Sequence, residues 1–194
     1  ENKSVTSDEI DILAFLKSKS DKKKLNILHV GIGNSFLASK LKNFNEIIGI
    51  TISQNEIKYA STKNIINYKY FFLNKYEANS LDIFENKKFD IIIDTNIKSF
   101  SCCDRAFNNL FKQYVNSLSH NGYIISHING LKWSRIVKPK LSFSLKNFFY
   151  KRLKEYDGPL NNKLGISDCK ILANENNLKL DLDNTNLVIF KNEK

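Results

Sequence analysis

Five short apolar runs recur along this chain, at 27–30, 46–52, 68–73, 89–94 and 122–127, each closed off by polar or glycine-containing residues. Runs of this length without polar alternation predict strands buried on both faces of a sheet. Helical spacing fills the gaps between them. It appears at Phe36, Leu37 and Leu41 after the first run, over 54–63 after the second, and over 105–118 between the fourth and fifth. A further segment opens at Ser7-Asp8-Glu9-Ile10 and continues through Ile12, Leu13 and Leu16, and its acidic start suits a helix N-terminus. Strands alternating with helices at this spacing predict an α/β domain with a doubly wound, mostly parallel sheet covered on both faces.

The rhythm changes at the C-terminus. A helix is predicted over 167–176, capped by Ser167 or Asp168, followed by strand-like runs at 178–182 and 187–190. Only Asp183-Asn184-Thr185-Asn186 separates the two runs, so they are predicted to be antiparallel neighbours, a C-terminal hairpin. A doubly wound sheet that ends this way departs from the usual dinucleotide-binding arrangement.

Composition narrows the class. The chain has 194 residues, 42% hydrophobic and 26% charged, which fits one globular domain over 1–194 with room for a sizeable core. No apolar run approaches a membrane span and no secretory signal is visible, so a cytoplasmic protein is expected. Glu1 opens a chain with no methionine, so a start residue is expected upstream. The three cysteines include the adjacent pair Cys102-Cys103 and make neither a disulfide framework nor a metal-ligand spacing; no metal is expected. That pair reads better as small buried residues at a helix start than as nucleophiles, since no base is placed beside it.

Charge is uneven. Of a net +10, eight charges fall within 132–154, on Lys132, Arg135, Lys138, Lys140, Lys146, Lys151, Arg152 and Lys154, with no acid among them. Trp133, Phe143, Phe148, Phe149 and Tyr150 are interleaved, and the spacing of Leu141, Leu145, Phe148, Phe149 and Arg152 predicts a helix with one apolar and one basic face. Three readings stay open for this insertion, at about 131–163. It is a packed helix with a solvated lysine face, a lid that closes over an anionic small molecule, or a surface for anionic membrane. A nucleic-acid partner is compatible with the charge, but no recognisable nucleic-acid motif accompanies it.

The glycine turn Gly31-Ile32-Gly33-Asn34-Ser35 lies between the first strand and its helix. Alternate glycines permit a tight turn and a close backbone approach, and the helix start offers unpaired N–H groups, so the turn is a candidate ligand cradle; an ordinary strand-to-helix turn is the other reading. The string from Ile27 through Ser35, the run Phe89-Asp90-Ile91-Ile92-Ile93-Asp94, the stretch 118–126 with Gly122 entering a strand, and the terminal hairpin together resemble the class I S-adenosylmethionine-dependent methyltransferases. The resemblance covers nearly everything from Leu25 onward. It implies a Rossmann-like sheet of seven strands, the last antiparallel and inserted beside the fifth, with S-adenosyl-L-methionine lying across the carboxyl ends of the first strands.

Carried over residue by residue, the resemblance places Gly31, Gly33 and Asn34 beside the amino acid part of the cofactor. Ser35 stands where a third glycine is usual, and His29 stands where many members have an acid. Thr51 occupies the place of the acid that binds the ribose. The segment Gly49-Ile50-Thr51-Ile52-Ser53 with Glu56 is instead similar to the variant of cyclopropane fatty acid synthases, in which Glu56 would supply the bidentate contact; a plain first-turn glutamate is the alternative. Asn74 falls where an adenine contact is common, and an asparagine serving only its turn is the alternative. Asp94, Thr95 and Asn96 fall where the family faces the methyl donor, and Phe100, Lys132 and Trp133 fall toward the acceptor. The segment lacks the Asn-Pro-Pro-Tyr string that marks methylation of exocyclic base amines.

The resemblance therefore implies a methyltransferase acting on a small-molecule oxygen, nitrogen or sulfur. Alignment of the acceptor supplies most of the acceleration, and Asp94 or His127 is the candidate base where the acceptor carries a proton. A histidine at position 127 that only bonds a nearby backbone group is the competing reading. Other chemistry on the same cofactor, aminocarboxypropyl transfer or cofactor cleavage, stays open. So does a nucleic-acid-binding protein that kept the fold. A nicotinamide enzyme is disfavoured by Phe36 at the third fingerprint glycine and by Thr51.

Overall fold

The computed structural model describes residues 4–19, 25–41, 46–77, 79–84, 87–132, 163–182 and 186–193. Helix α1 (Ser7–Lys19) precedes β1 (Ile27–Val30), α2 (Phe36–Lys40), β2 (Ile47–Thr51), α3 (Gln54–Ser61) and β3 (Tyr68–Phe72). A 3-10 turn at Asp82–Phe84 leads to β4 (Phe89–Ile93), α4 (Asp104–Ser117), β5 (Leu118–His127) and α5 (Ile128–Leu131). The described chain closes with α6 (Ile166–Glu175), β6 (Lys179–Leu182) and β7 (Leu187–Lys191).

The sheet has seven strands in the order β3-β2-β1-β4-β5-β7-β6. β1 to β5 run parallel, and β7 pairs antiparallel with both β5 and β6. This is the Rossmann-like α/β architecture with its C-terminal hairpin. The chain steps outward from β1 to β3 and then returns to place β4 on the other side of β1, so a crevice opens at the carboxyl ends of β1 and β4, where ligands bind in such sheets.

Strand parity explains the unbroken apolar runs. Leu28, Ile48, Ile92 and Ile124 face a layer built by Phe107, Leu110, Phe111 and Tyr114 of α4 with Cys169 and Leu172 of α6. Their neighbours Ile27, Ile47, Ile91 and Ile125 face the opposite layer, where Ile12 and Leu16 of α1 pack with Leu37 and Ala60. Each inner strand thus has an apolar partner on both sides, which abolishes the alternation expected of a half-exposed strand.

Several local expectations change. β3 lies at the sheet edge and is not fully buried, with Phe71 and Phe72 exposed. β5 begins at Leu118, directly after α4, instead of at Gly122, because the pairing with β4 shifts register between Phe89 and Ile91 and absorbs the extra residues. α6 is capped at Gly165, whose N–H donates to Asp168 Oδ2 at 2.7 Å, so Asp168 closes the first turn from inside the helix and Ser167 does not cap it. The proposed insertion at 131–163 lies outside the described residues apart from its ends. There Leu164 N–H donates to Leu131 O at 2.9 Å, so the flanks of the insertion meet beside the end of β5.

Candidate functional site

A cavity of about 660 Å³ opens over the carboxyl ends of β1, β2 and β4. Its floor is the glycine turn. Gly31 and Gly33 hold φ angles of +76° and +51°, and the volume a Cβ would fill at either is open, with nothing within 4 Å. Conformation and clearance together account for glycine at both positions. Asn34 lines the same wall, while Ser35 sits beneath it, buried and also at positive φ, its hydroxyl without a partner among the described residues.

The carboxyl end of β2 is tied to this turn by Glu56, in the first turn of α3. Its Oε2 accepts from the Thr51 hydroxyl at 2.7 Å and from the Gly33 N–H at 3.2 Å. Ser53 caps α3 by accepting from the Glu56 N–H, which fixes where that carboxylate starts. Thr51, Ser53 and Glu56 all line the cavity.

His29 rises from β1 into the cavity wall and is 95% buried. Nδ1 has no partner among the described residues, and burial pulls the imidazole from 6.5 down to about 4, so the ring is neutral at physiological pH. Where many members of the resembled family carry an acid, this chain presents an uncharged ring.

At the end of β4 the structure shows a network that sequence reasoning missed. Asp94 Oδ2 accepts from Lys75 Nζ and from the Tyr114 hydroxyl, each at 2.8 Å. Lys75 also donates to Asn96 O and Ile97 O, while Tyr76 donates its hydroxyl to Ile97 O and Ser99 O. Burial pulls the Lys75 ammonium below its ordinary value, against the pull of Asp94. Burial pushes the Tyr114 hydroxyl well up, with the Asp94 charge adding to it. The two signals available were that Lys75 directly follows Asn74 at a strand end, and that Tyr114 is the polar member of the apolar stripe on α4. Lys75 and Tyr76 thereby clamp the loop from Asp94 to Phe100, while Asn74 Oδ1 accepts from the Tyr76 N–H at 3.0 Å within its own turn; Asn74, Asp94, Thr95, Asn96 and Phe100 line the cavity.

The remaining sequence candidates lie elsewhere. His127 is buried outside the cavity lining. Its Nδ1 accepts from the Asn129 N–H at 3.2 Å and caps α5, so the ring proton sits on Nε2 and is donated to Asp11 of α1, also at 3.2 Å. Lys132 is exposed and away from the lining, and Trp133 lies outside the described residues. The pair Cys102-Cys103 is not buried as expected; Cys102 is exposed and Cys103 half-buried. Unforeseen from the sequence, the start of α1 closes one side of the cavity through Thr6, Asp8 and Glu9. Among the described residues no group of His, Cys, Asp and Glu is arranged to hold a metal ion, and no helix is long and apolar enough to cross a membrane.

No protein-family model and no curated protein matches the sequence. Solved structures share its fold. N-methyltransferase NodS from Bradyrhizobium japonicum superposes with a TM-score of 0.62 at 12% identity, over 96% of each chain. A TehB-like SAM-dependent methyltransferase from Corynebacterium glutamicum gives 0.61 at 11% identity, over 98% of this chain and 90% of its own. Magnesium protoporphyrin IX methyltransferase from Synechocystis, with S-adenosylhomocysteine bound, gives 0.60 at 12% identity, over 98% and 89%. At these identities the likeness is one of fold.

Proposed function

We propose that this protein is an S-adenosylmethionine-dependent methyltransferase acting on a small-molecule acceptor. The observation that carries the reading is the cradle at the end of β1: two positive-φ glycines with open space above them, flanked by an imidazole whose Nδ1 has no partner among the described residues and a carboxylate held at the mouth of β2. The shared fold of the methyltransferases above supports it.

In this reading Gly31, Gly33 and Asn34 take the amino acid end of the cofactor, and neutral His29 accepts a hydrogen bond from its ammonium. Thr51 and Glu56 face the ribose hydroxyls, as in the variant similar to cyclopropane fatty acid synthases, and Asn74 faces the adenine. The bound cofactor supplies an electrophilic methyl group on a sulfonium, so the protein need only align the acceptor and exclude water. Asp94 is better placed than His127 to accept an acceptor's proton, because it lines the cavity whereas both His127 nitrogens are engaged outside it. The eight cationic side chains within 132–154 would attract an anionic acceptor.

Thermal melting tests the reading directly. S-adenosylmethionine and S-adenosylhomocysteine should each raise Tm, as native-state ligands must, and NAD should not. A shift with NAD alone would overturn it. Product analysis of consumed cofactor then separates methyl transfer from aminocarboxypropyl transfer or cleavage.

A further inference from the structure

The Asp94–Phe100 wall of the cavity runs directly into two thiols. Phe100, 49% exposed and held at a φ of +60°, lines the cavity, and Ser99 beside it accepts the Tyr76 hydroxyl at 2.7 Å. Ser101 donates its hydroxyl to Cys103 O at 2.7 Å. Cys103 is the N-cap of α4, its Sγ accepting from the Ala106 N–H at 3.4 Å, and Cys102 Sγ lies 3.5 Å from Cys103 Sγ. Adjacent residues do not bring their side chains together by default; here the two sulfurs turn to one side, just past the cavity-lining residue Phe100 in the chain.

We propose that Cys102 and Cys103 are a reversible oxidation site for hydroperoxides, closing to a disulfide between adjacent residues that reshapes the cavity wall. The thiol chemistry stands apart from the cofactor reading; only its consequence for cofactor binding rests on that reading.

The geometry assigns distinct roles. Cys103 is the attacking sulfur. The Ala106 N–H, then the thiol of Cys102, hold its proton affinity below the ordinary thiol value, while sharing its own proton with Cys103 raises that of Cys102. The Cys103 thiolate attacks the distal oxygen of a hydroperoxide, whose O–O bond breaks to release an alkoxide, or hydroxide from hydrogen peroxide, and leaves Cys103 as the sulfenic acid. Cys102 then loses its proton and attacks that sulfur, forming the S–S bond and expelling hydroxide, which leaves as water. Two electrons pass from the thiols to the peroxide, and a dithiol returns them.

Closing the bond must move structure. The sulfurs have to approach by about 1.5 Å to reach bonding distance, and adjacent Cα atoms are closer than the usual span of a disulfide, so the bond is readily reduced. Drawing Cys103 Sγ toward Cys102 takes it from the Ala106 N–H, and the turn at 99–103 shifts with it. Cys169, on the buried face of α6 with its thiol pushed up to about 11 by burial, is an internal control.

The test is mass spectrometry of the full chain after an equimolar pulse of hydrogen peroxide. The expected product has lost two hydrogen masses in the peptide holding Cys102 and Cys103, with Cys169 untouched, and dithiothreitol restores it. In Cys102→Ser, dimedone should trap a sulfenic acid on Cys103; in Cys103→Ser the reaction should slow. Stepwise oxygen addition without hydrogen loss, disulfide-linked dimers, or first trapping at Cys102 would overturn the proposal. Calorimetry with S-adenosylhomocysteine reads the consequence: the oxidised chain should bind at least severalfold more weakly than the reduced one. Equal affinity would remove the coupling to the cavity. Absence of binding in both states would overturn the cofactor reading and the coupling with it, and would leave the oxidation site to be decided by mass alone.

Discussion

Lys75 Nζ meets Asp94 Oδ2 at 2.8 Å with both side chains almost fully withdrawn from solvent, so the loop after β3 is pinned to the end of β4 by a buried charge pair. Breaking such a pair from one side leaves an uncompensated charge. Lys75→Met should cost about 3 to 5 kcal/mol of stability in urea denaturation. Adding Asp94→Asn to that background should recover part of the loss. Equal stability of Lys75→Met and the parent would mean that the pair does not hold the loop.

His29 predicts a pH dependence with a definite sign. The unfolded imidazole takes its proton at 6.5 and the folded one only at about 4, so between these values the unfolded chain binds more protons. Stability is therefore present above pH 6.5 and is lost as pH falls toward 4, by about 2 to 3 kcal/mol near pH 4.5. Urea midpoints across this range should show the slope, and His29→Asn should remove that component of it.

Glu56→Ala removes the acceptor shared by Thr51 and the Gly33 N–H. Affinity for S-adenosylmethionine should fall by about 1 to 3 kcal/mol by calorimetry, the usual cost of stranding the partners of a charged group. An unchanged Kd would return Glu56 to a purely local role at the start of α3.

Gly130→Ala should be more damaging than a glycine in a helix of four residues suggests. A Cβ there would lie 1.7 Å from Thr95 O, so α5 and the loop after β4 must separate. The expected loss is about 1 to 3 kcal/mol, the range of overpacking, together with weaker cofactor binding because Thr95 and Asn96 line the cavity.

The sequence by itself determined the order of elements, the two-sided burial of the inner strands and the terminal hairpin. These are local properties: an apolar run such as Ile91-Ile92-Ile93 can only be satisfied between two layers, and four residues between β6 and β7 leave no room for a crossover. The glycine turn was legible for the same reason, since Gly31 and Gly33 answer to their own backbone angles.

Only the tertiary structure decided which polar side chains meet. Lys75 reaches Asp94 across 19 residues, Glu56 reaches Gly33 across 23, and His127 reaches Asp11 across 116. Nothing in the spacing of those residues encodes such distances. His127 shows the limit well: its position at the end of β5 was readable, but α1 packs across that end and supplies Asp11, which turns the ring away from the cavity. Cys102 and Cys103 show it again, because the start of α4 was legible and the direction in which its cap faces was not. Periodicity reports the face a residue shares with its neighbours in sequence, whereas the partner it finds is set by how distant elements pack.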